Sequence, residues 1–121
     1  MAKIFLDTNV FIDLIEGRAD IKLDSLVGHR LYISPLSVHI LNYIYKYSLP
    51  TKNLAKIDQF FSLVPFDKQV TTKALNGPSK DFEDNVQLHS CAHAECEIFL
   101  TQDKNLLEMK FFGKATIKSY L

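Results

Sequence analysis

Short apolar runs alternate along the chain with longer segments in which apolar residues recur every three or four positions. Runs of four to six residues are typical of buried strands, and the longer spacing is typical of amphipathic helices. The runs predict five strands, at residues 3–6, 31–34, 63–66, 97–101 and 115–120. The longer segments predict helices at residues 8–16, 21–28, 35–47, 51–62, 68–76, 81–94 and 103–109.

The alternation of strands and helices predicts the fold class. A helix between two strands makes a right-handed crossover, and repeated crossovers give a parallel sheet covered by helices on both faces. We therefore expect an α/β fold: a three-layer α/β/α sandwich with a five-stranded parallel sheet. The 121 residues contain no repeat and no linker, so residues 1–121 are expected to form a single domain.

Composition narrows the function only slightly. No apolar run approaches the roughly 20 residues that span a bilayer, and the N-terminus lacks the progression of a signal peptide. A cytoplasmic protein without a membrane partner is therefore expected. The 14 basic and 14 acidic residues cancel, which argues weakly against nucleic acid as a partner but leaves room for a locally basic rim.

The stretch HSCAHAEC raises the question of a zinc site. His89 and His93 are one helical turn apart and Cys96 follows, but the paired CxxC or HExxH spacing of strong zinc motifs is missing. The pattern favours a helix that carries two histidines over a zinc site. In a reducing compartment Cys91 and Cys96 are expected to be free and buried.

Acidic residues occupy the seams between strands and helices. Asp7 ends the first strand, Thr101 and Asp103 follow the fourth, and Asp81 and Asp84 start the helix that leads into the fourth. Ligands of parallel sheets bind at the carboxyl ends of the strands, where the strand order reverses. If the first and fourth strands are neighbours there, these acids converge in one cleft.

Carboxylates this close cannot all stay ionised without a positive charge among them, so at least one aspartate is expected to have a raised pKa. Oxygen ligands suit Mg²⁺ or Mn²⁺, and such a site implies metal-assisted hydrolysis of a phosphodiester. Structural roles compete with this interpretation, because Asp81 and Asp103 could each cap a helix and Asp84 could be a first-turn acid. For Asp7 we find no structural task that serine or asparagine could not perform.

The segments DTNVFIDL and DFEDNVQLHSCAHAECEIFLTQD, together with the chain length, resemble the PIN domain family, and most closely its VapC-type toxins of bacterial toxin–antitoxin pairs. The resemblance covers essentially the whole chain. It implies a five-stranded parallel sheet, a ribonuclease that depends on Mg²⁺ or Mn²⁺, and an antitoxin protein that binds the toxin.

The resemblance also assigns roles to polar residues. By position, Asp7, Asp84 and Asp103 match the catalytic, metal-binding aspartates of the family, and Asp81 matches an accessory acid. The residues that match polar groups orienting the carboxylates or a metal-bound water are Thr8, Asn9 and Thr101.

One position departs from the family pattern. PIN domains typically carry S-x-x-S-x-x-E-L-x-Y after the second strand, and here SPLSVHILNY places Ile40 where the glutamate is expected. The loss should weaken cation binding without abolishing it. His39 is adjacent and is a candidate proton shuttle or ligand, although a one-residue step on a helix turns the side chain by about 100°.

Three functions remain open on the sequence. The first is a metal-dependent endoribonuclease, a toxin that acts on RNA and is inhibited by an antitoxin. The second is a catalytically weakened PIN-like module that binds RNA or a partner protein, which Ile40 and the neutral charge favour. The third, a phosphorylated receiver-like domain, fits the TQD turn poorly. The aromatic helix at 35–47 and the pair Phe60 and Phe61 are candidates for a homodimer or antitoxin interface, although aromatic residues at this spacing are more often core.

Overall fold

The computed structural model of the protein describes residues 1–18 and 23–121. The helix predicted at 21–28 lies partly outside the described residues. Within them, Leu23–Leu26 form one turn of 3₁₀ helix.

The sheet has six strands in the described part of the chain: β1 (Lys3–Leu6), β2 (Arg30–Ile33), β3 (Phe61–Leu63), β4 (Ile98–Leu100), β5 (Phe111–Phe112) and β6 (Ala115–Lys118). Their order across the sheet is β3-β2-β1-β4-β6-β5. All neighbours pair in parallel except β5 and β6, which are antiparallel. The predicted parallel sheet is therefore confirmed, with five parallel strands.

Helices connect the strands: α1 (Thr8–Glu16), α2 (Pro35–Tyr45), α3 (Leu54–Phe60), α4 (Lys68–Leu75), α5 (Phe82–His93) and α6 (Lys104–Met109). Five of the six begin at a side chain that caps their free N–H groups. The capping residues are Asp7 for α1, Ser34 for α2, Asp67 for α4, Asp81 for α5 and Asp103 for α6. Three of these caps, at residues 7, 81 and 103, are aspartates that the sequence also marks as site residues.

Alternation along β1 separates two halves of the core. Ile4 and Leu6 pack with the apolar faces of α1 and α2, whereas Phe5 packs with residues of α5 and α6. Successive side chains of a strand point to opposite faces of the sheet, so these helices form two layers on either side of it. The three-layer arrangement is confirmed. None of the helices described is long and apolar enough to cross a membrane.

The prediction missed β5. A two-residue turn joins it to β6, and Gly113 in that turn has a φ of 59°. Glycine at the first turn position with positive φ fits the type II′ turn of a hairpin. Two residues are too few to give a periodic signal, so the sequence pattern assigned no element to residues 110–114.

The strand predicted at 63–66 was also misplaced, since β3 covers Phe61–Leu63. Val64 still donates its N–H to the carbonyl of Ile33 at 2.9 Å, but Pro65 has no N–H with which to extend the ladder. Phe61 was assigned to the preceding helix, which ends at Phe60. It is buried instead, edge-on against Phe11 with ring centroids 5.2 Å apart.

Candidate active site

The strand order reverses at β1, which lies between β2 and β4. Leu6 and Leu100, the last residues of β1 and β4, are direct partners in the ladder. Asp7 and Thr101 directly follow these partners, so the pairing of β1 with β4 brings together two residues that are 94 positions apart in the sequence. The conditional prediction that the first and fourth strands are neighbours is therefore correct.

Asp7 is held tightly at this point. Its backbone N–H donates to the carbonyl of Leu100 at 2.9 Å. Its Oδ1 accepts the N–H of Thr8 at 2.8 Å, and its Oδ2 accepts the hydroxyl of Thr101 at 2.7 Å. The side chain is only 6% exposed, and this burial raises its pKa against the opposing effect of the two hydrogen bonds, with further increases from Asp103 and Asp81.

Thr101 links Asp7 to Asp103. The Thr101 hydroxyl donates to Asp7 and accepts the N–H of Asp103 at 3.0 Å. Asp103 in turn accepts the N–H groups of Asn105 and Leu106 at 2.8 and 3.2 Å through its Oδ1. Asp103 therefore caps α6, as the structural alternative predicted. It is also linked to Asp7 through the hydroxyl of Thr101.

Asp81 and Asp84 lie at the start of α5. The Oδ1 of Asp81 accepts the N–H of Asp84 at 2.9 Å, so Asp81 is the cap that its position suggested. Burial and the charges of Asp81, Asp7 and Asp103, in that order, raise the pKa of Asp84 to about 6. We call the four residues Asp7, Asp81, Asp84 and Asp103 the acid cluster, because their charges act on one another.

An open cleft of about 360 Å³ lies beside Asp81 and Asp84, between the starts of α5 and α6. It is lined by Pro78, Ser79, Lys80, Asp81, Asp84, Asn105, Leu106 and Met109. Asn85 fixes its wall, since its buried amide donates to the carbonyls of Ala74 and Ser79, both at 2.9 Å. The loop before α5 is thereby held against the helix.

The accessory residues divide into two groups. Thr8 and Thr101 contact Asp7 directly. Asn9 and His39 are exposed, and His39 lies beside Tyr43 with ring centroids 6.2 Å apart. Ile40 is half-buried and packs against the apolar cluster around β1, where a carboxylate would meet hydrocarbon.

Sequence reasoning missed two residues behind the acid cluster. Ser37 of α2 lies 2.9 Å from the Thr8 hydroxyl, oxygen to oxygen, and donates to the Oε1 of Gln87 on α5 at 3.3 Å. Both side chains are buried. Ser37 is the second serine of the family pattern S-x-x-S-x-x-E-L-x-Y, so the sequence carried a signal for it. The only signal for Gln87 was a polar residue at a position where the helix should be apolar.

The donor chemistry of the acid cluster fits a hard divalent cation, because every candidate ligand is a carboxylate oxygen. Within residues 1–18 and 23–121, no lysine or arginine forms an ion pair with these four aspartates. In the same residues no three acidic, histidine or cysteine side chains are grouped closely enough to hold one ion as placed. Mutual repulsion opposes closer approach of the carboxylates, and a shared cation would remove that opposition.

The histidines and cysteines considered for a zinc site do not form a metal-binding group in the described part of the chain. His89 donates from Nε2 to the carbonyl of Gly77 at 2.8 Å and packs edge-on against Phe112. His93 is exposed, whereas Cys91 and Cys96 are free and buried.

The candidate interface residues also divide. Phe61 belongs to the core, which corrects its assignment to an interface. Tyr43 and Ile44 of α2 are 73% and 55% exposed, and Phe60 is 40% exposed. These three remain available for contact with another chain.

Comparison with known proteins identifies a matching family and two solved structures with a similar fold. A family model described as PIN domain matches residues 3–105, whereas no curated protein sequence matches the chain. VapBC2 from Rickettsia felis, solved bound to a DNA fragment from its promoter, superposes with a TM-score of 0.66 at 15% identity over 96% of this chain and 97% of that one. FitAB bound to an IR36 DNA fragment superposes with a TM-score of 0.52 at 15% identity, over 95% and 93%. At this identity the likeness shows the fold alone.

Proposed function

Because the chain belongs to the PIN domain family, we propose that it is a metal-dependent endoribonuclease of the cytoplasm that hydrolyses RNA phosphodiester bonds as the toxin of a toxin–antitoxin pair. PIN domains are generally nucleases. The similar folds of VapBC2 and FitAB support the toxin assignment.

The observation that carries the proposal is the acid cluster itself. Four aspartates from β1, α5 and the end of β4 act on one another electrostatically at the switch point of the sheet. Burying Asp7 with like charges nearby is costly, and a fold keeps such an arrangement where a cation or a reaction requires it.

We assign the binding of Mg²⁺ or Mn²⁺ to Asp7, Asp84 and Asp103. When bound, such an ion polarises a phosphoryl oxygen and lowers the pKa of a coordinated water. Thr101 holds the Oδ2 of Asp7, and Thr8 holds its Oδ1 through the backbone N–H.

Three accessory residues receive lesser roles. Asp81 caps α5 and adds negative charge. Asn9, exposed beside Thr8, is proposed to contact a metal-bound water or the RNA, and the exposed His39 is proposed as a proton carrier.

The exposed aromatic and apolar residues of α2, Tyr43 and Ile44, are proposed to contact the antitoxin or a second copy of this chain. Large apolar side chains that stay exposed together are typical of protein interfaces. An antitoxin bound to Tyr43 and Ile44 would lie on the same helix as His39 and Ile40.

A second function is favoured by two features. Ile40 packs against the core instead of supplying an acid, and in the described part of the chain no three ligands are grouped for an ion. A PIN-like module that binds RNA or a partner protein with weakened catalysis is the alternative.

The deciding experiment incubates purified, partner-free protein with structured RNA and 5′-labelled single-stranded RNA in Mg²⁺, Mn²⁺ or EDTA. The nuclease should cleave with either metal, and Asp7→Asn should lose about a hundredfold or more of the rate, since it removes a ligand charge. Asp58→Asn, an exposed carboxylate on α3, is the matched control and should keep wild-type activity. His39→Gln tests the proton carrier through its pH–rate profile.

Each result separates the two functions. Cleavage lost in Asp7→Asn and retained in Asp58→Asn supports the enzyme. Cleavage that survives Asp7→Asn identifies a contaminant and counts against it. Absence of cleavage under all conditions, with RNA or partner binding intact, supports the binding module.

A further inference from the structure

A chain of three polar side chains, two of them buried, connects the starts of α1 and α2 with the middle of α5. It runs from Thr8 on α1 to Ser37 on α2 and to Gln87 on α5, with oxygen–oxygen distances of 2.9 and 3.3 Å. Ser37 is 0% and Gln87 1% exposed. We call these three residues the relay.

The orientation of the Gln87 amide sets the direction of the donors in the relay. A hydroxyl carries one hydrogen, and Ser37 uses it on the Oε1 of Gln87, so the Thr8 hydroxyl must donate to Ser37. Turning the Gln87 amide by 180° reverses each donor and preserves every link. In both arrangements the side chain of Thr8 is tied to α2 and α5.

Gln87 has no evident packing reason to be polar. One atom of its amide, Nε2 in this orientation and Oε1 if the amide is turned, is buried without a hydrogen-bond partner among the described residues, which is unfavourable for a buried polar group. An apolar side chain of similar length would avoid this loss. What Gln87 gains at that position is its bond to Ser37.

The relay ends at the residue that holds Asp7. The backbone N–H of Thr8 donates to the Oδ1 of Asp7 at 2.8 Å, while its side-chain hydroxyl is tied to Ser37, so the first residue of α1 is held through both its backbone and its side chain. Gln87 also follows Asp84 by three residues, which places both side chains on one face of α5. The relay therefore links the residue after Asp7 to the residue one helical turn after Asp84.

We propose that Gln87 and Ser37 are positioning residues: they anchor the side chain of Thr8 and so hold the first residue of α1, whose backbone N–H binds Asp7, against α2 and α5. The inference rests on the proposed function for its effect on metal binding, whereas its effect on Thr8 is independent of any metal.

The test compares Gln87→Met, Ser37→Ala and the double variant with wild type in two measurements. Three-bond scalar couplings of the Thr8 methyl carbon to the backbone report its χ1 rotamer. We expect one rotamer in wild type and averaging in the variants. Titration with Mn²⁺ should give a dissociation constant raised by about threefold to tenfold, as expected for the loss of one hydrogen bond. The double variant should be no weaker than either single one, because the relay acts as a unit.

Ser90→Ala is the matched control. Ser90 also lies on α5, is fully buried and has a hydroxyl without a partner in the described part of the chain, but it is outside the relay. It should leave the Thr8 couplings and the Mn²⁺ affinity unchanged.

The outcomes are distinguishable. A single Thr8 rotamer and unchanged affinity in the folded variants overturn the relay, as does an equal effect of Ser90→Ala. If wild type binds no Mn²⁺, the proposed function fails, and the Thr8 couplings still decide whether the relay exists. Should Gln87→Met not fold, Ser37→Ala, which removes a single oxygen, gives the same decision.

Discussion

Asp84 is the residue of the acid cluster that combines a strongly raised pKa with contact with solvent. Burial, then the charges of Asp81, Asp7 and Asp103, raise the pKa of Asp84 from 3.8 to about 6. The sequence could predict a raised pKa for some member of the cluster, because like charges at one sheet edge oppose ionisation. It could not indicate which member, since that depends on how deeply each side chain is buried.

The raised pKa of Asp84 predicts a stabilising substitution. An acid with a higher pKa in the folded state contributes stability that is fully present below pH 3.8 and is lost as the pH rises through about 6. Asp84→Asn removes the ionised form and should therefore unfold less readily at pH 7.5. The whole shift corresponds to about 3 kcal/mol, and solvent screening of this partly exposed group reduces the expected gain to about 1 kcal/mol.

Urea unfolding at pH 7.5 and at pH 3.5 measures this gain. The difference between Asp84→Asn and wild type should vanish at the lower pH, where both side chains are neutral. Asp58→Asn should stay within about 0.5 kcal/mol of wild type at both. A gain that persists at pH 3.5, or a loss at pH 7.5, would contradict the charge argument.

At the level of elements, helix starts were the easiest part to predict from the sequence and short strands the hardest. Asp81 and Asp103 each cap a helix at the position that the pattern gave, because a cap needs only one side chain and its own backbone. For α1 the pattern favoured Thr8 or Asn9 as the cap, and the structure corrects this to Asp7. β3 was misplaced because Phe61 continues the spacing of Leu54 and Ile57, yet Leu54 is 63% exposed and Phe61 is core. Pairing with β2 overrides the local spacing there.

The two roles of Asp81 can be separated at the start of α5. Asp81→Asn keeps an oxygen that can accept the N–H of Asp84, but it removes the charge. Asp81→Ala removes both, so it should destabilise the protein by about 1 kcal/mol. Both variants should lower the pKa of Asp84 towards its ordinary value, because Asp81 is the largest charge effect on it.

Carboxyl-carbon NMR titration of Asp84 and urea unfolding provide the two measurements. Asp67 gives the matched control, since it caps α4 through the N–H of Val70 at 3.0 Å and does not line the cleft. Asp67→Ala should cost a similar amount of stability and leave the pKa of Asp84 unchanged. An equal loss in Asp81→Asn and Asp81→Ala would mean that charge, and not the cap, stabilises α5.

At the scale of the whole molecule, the site depends on strand order. Asp7 and Thr101 meet only because β1 and β4 are neighbours. From the sequence this pairing could only be assumed, because local patterns do not determine which strands of a parallel sheet lie side by side. Burial of Ser37 and Gln87 depends on the same assembly of three helices. Charge distribution is a third global property, because a net charge of zero hides the placement of individual lysines.

Lys80 is the lysine that lines the cleft with Asp81 and Asp84, and in the described part of the chain it forms no ion pair with either. If the proposed RNA substrate binds in the cleft, a lysine without a carboxylate partner beside the acid cluster is suited to bind one of its phosphates. For single strands each neutralised phosphate adds about 0.7 to the slope of log affinity against log salt. Lys80→Ala should reduce the magnitude of that slope by about 0.7 and weaken binding similarly for all sequences.

The binding measurement uses the Asp7→Asn background in EDTA, so that the RNA stays intact, and fluorescence anisotropy at several salt concentrations. Lys52→Ala is the control, because Lys52 is exposed before α3 and does not line the cleft. An unchanged slope in Lys80→Ala would place the RNA elsewhere on the molecule. A reduced slope in Lys80→Ala alone would support a path for the RNA backbone along the wall between α5 and α6, next to the aspartates proposed to act on it.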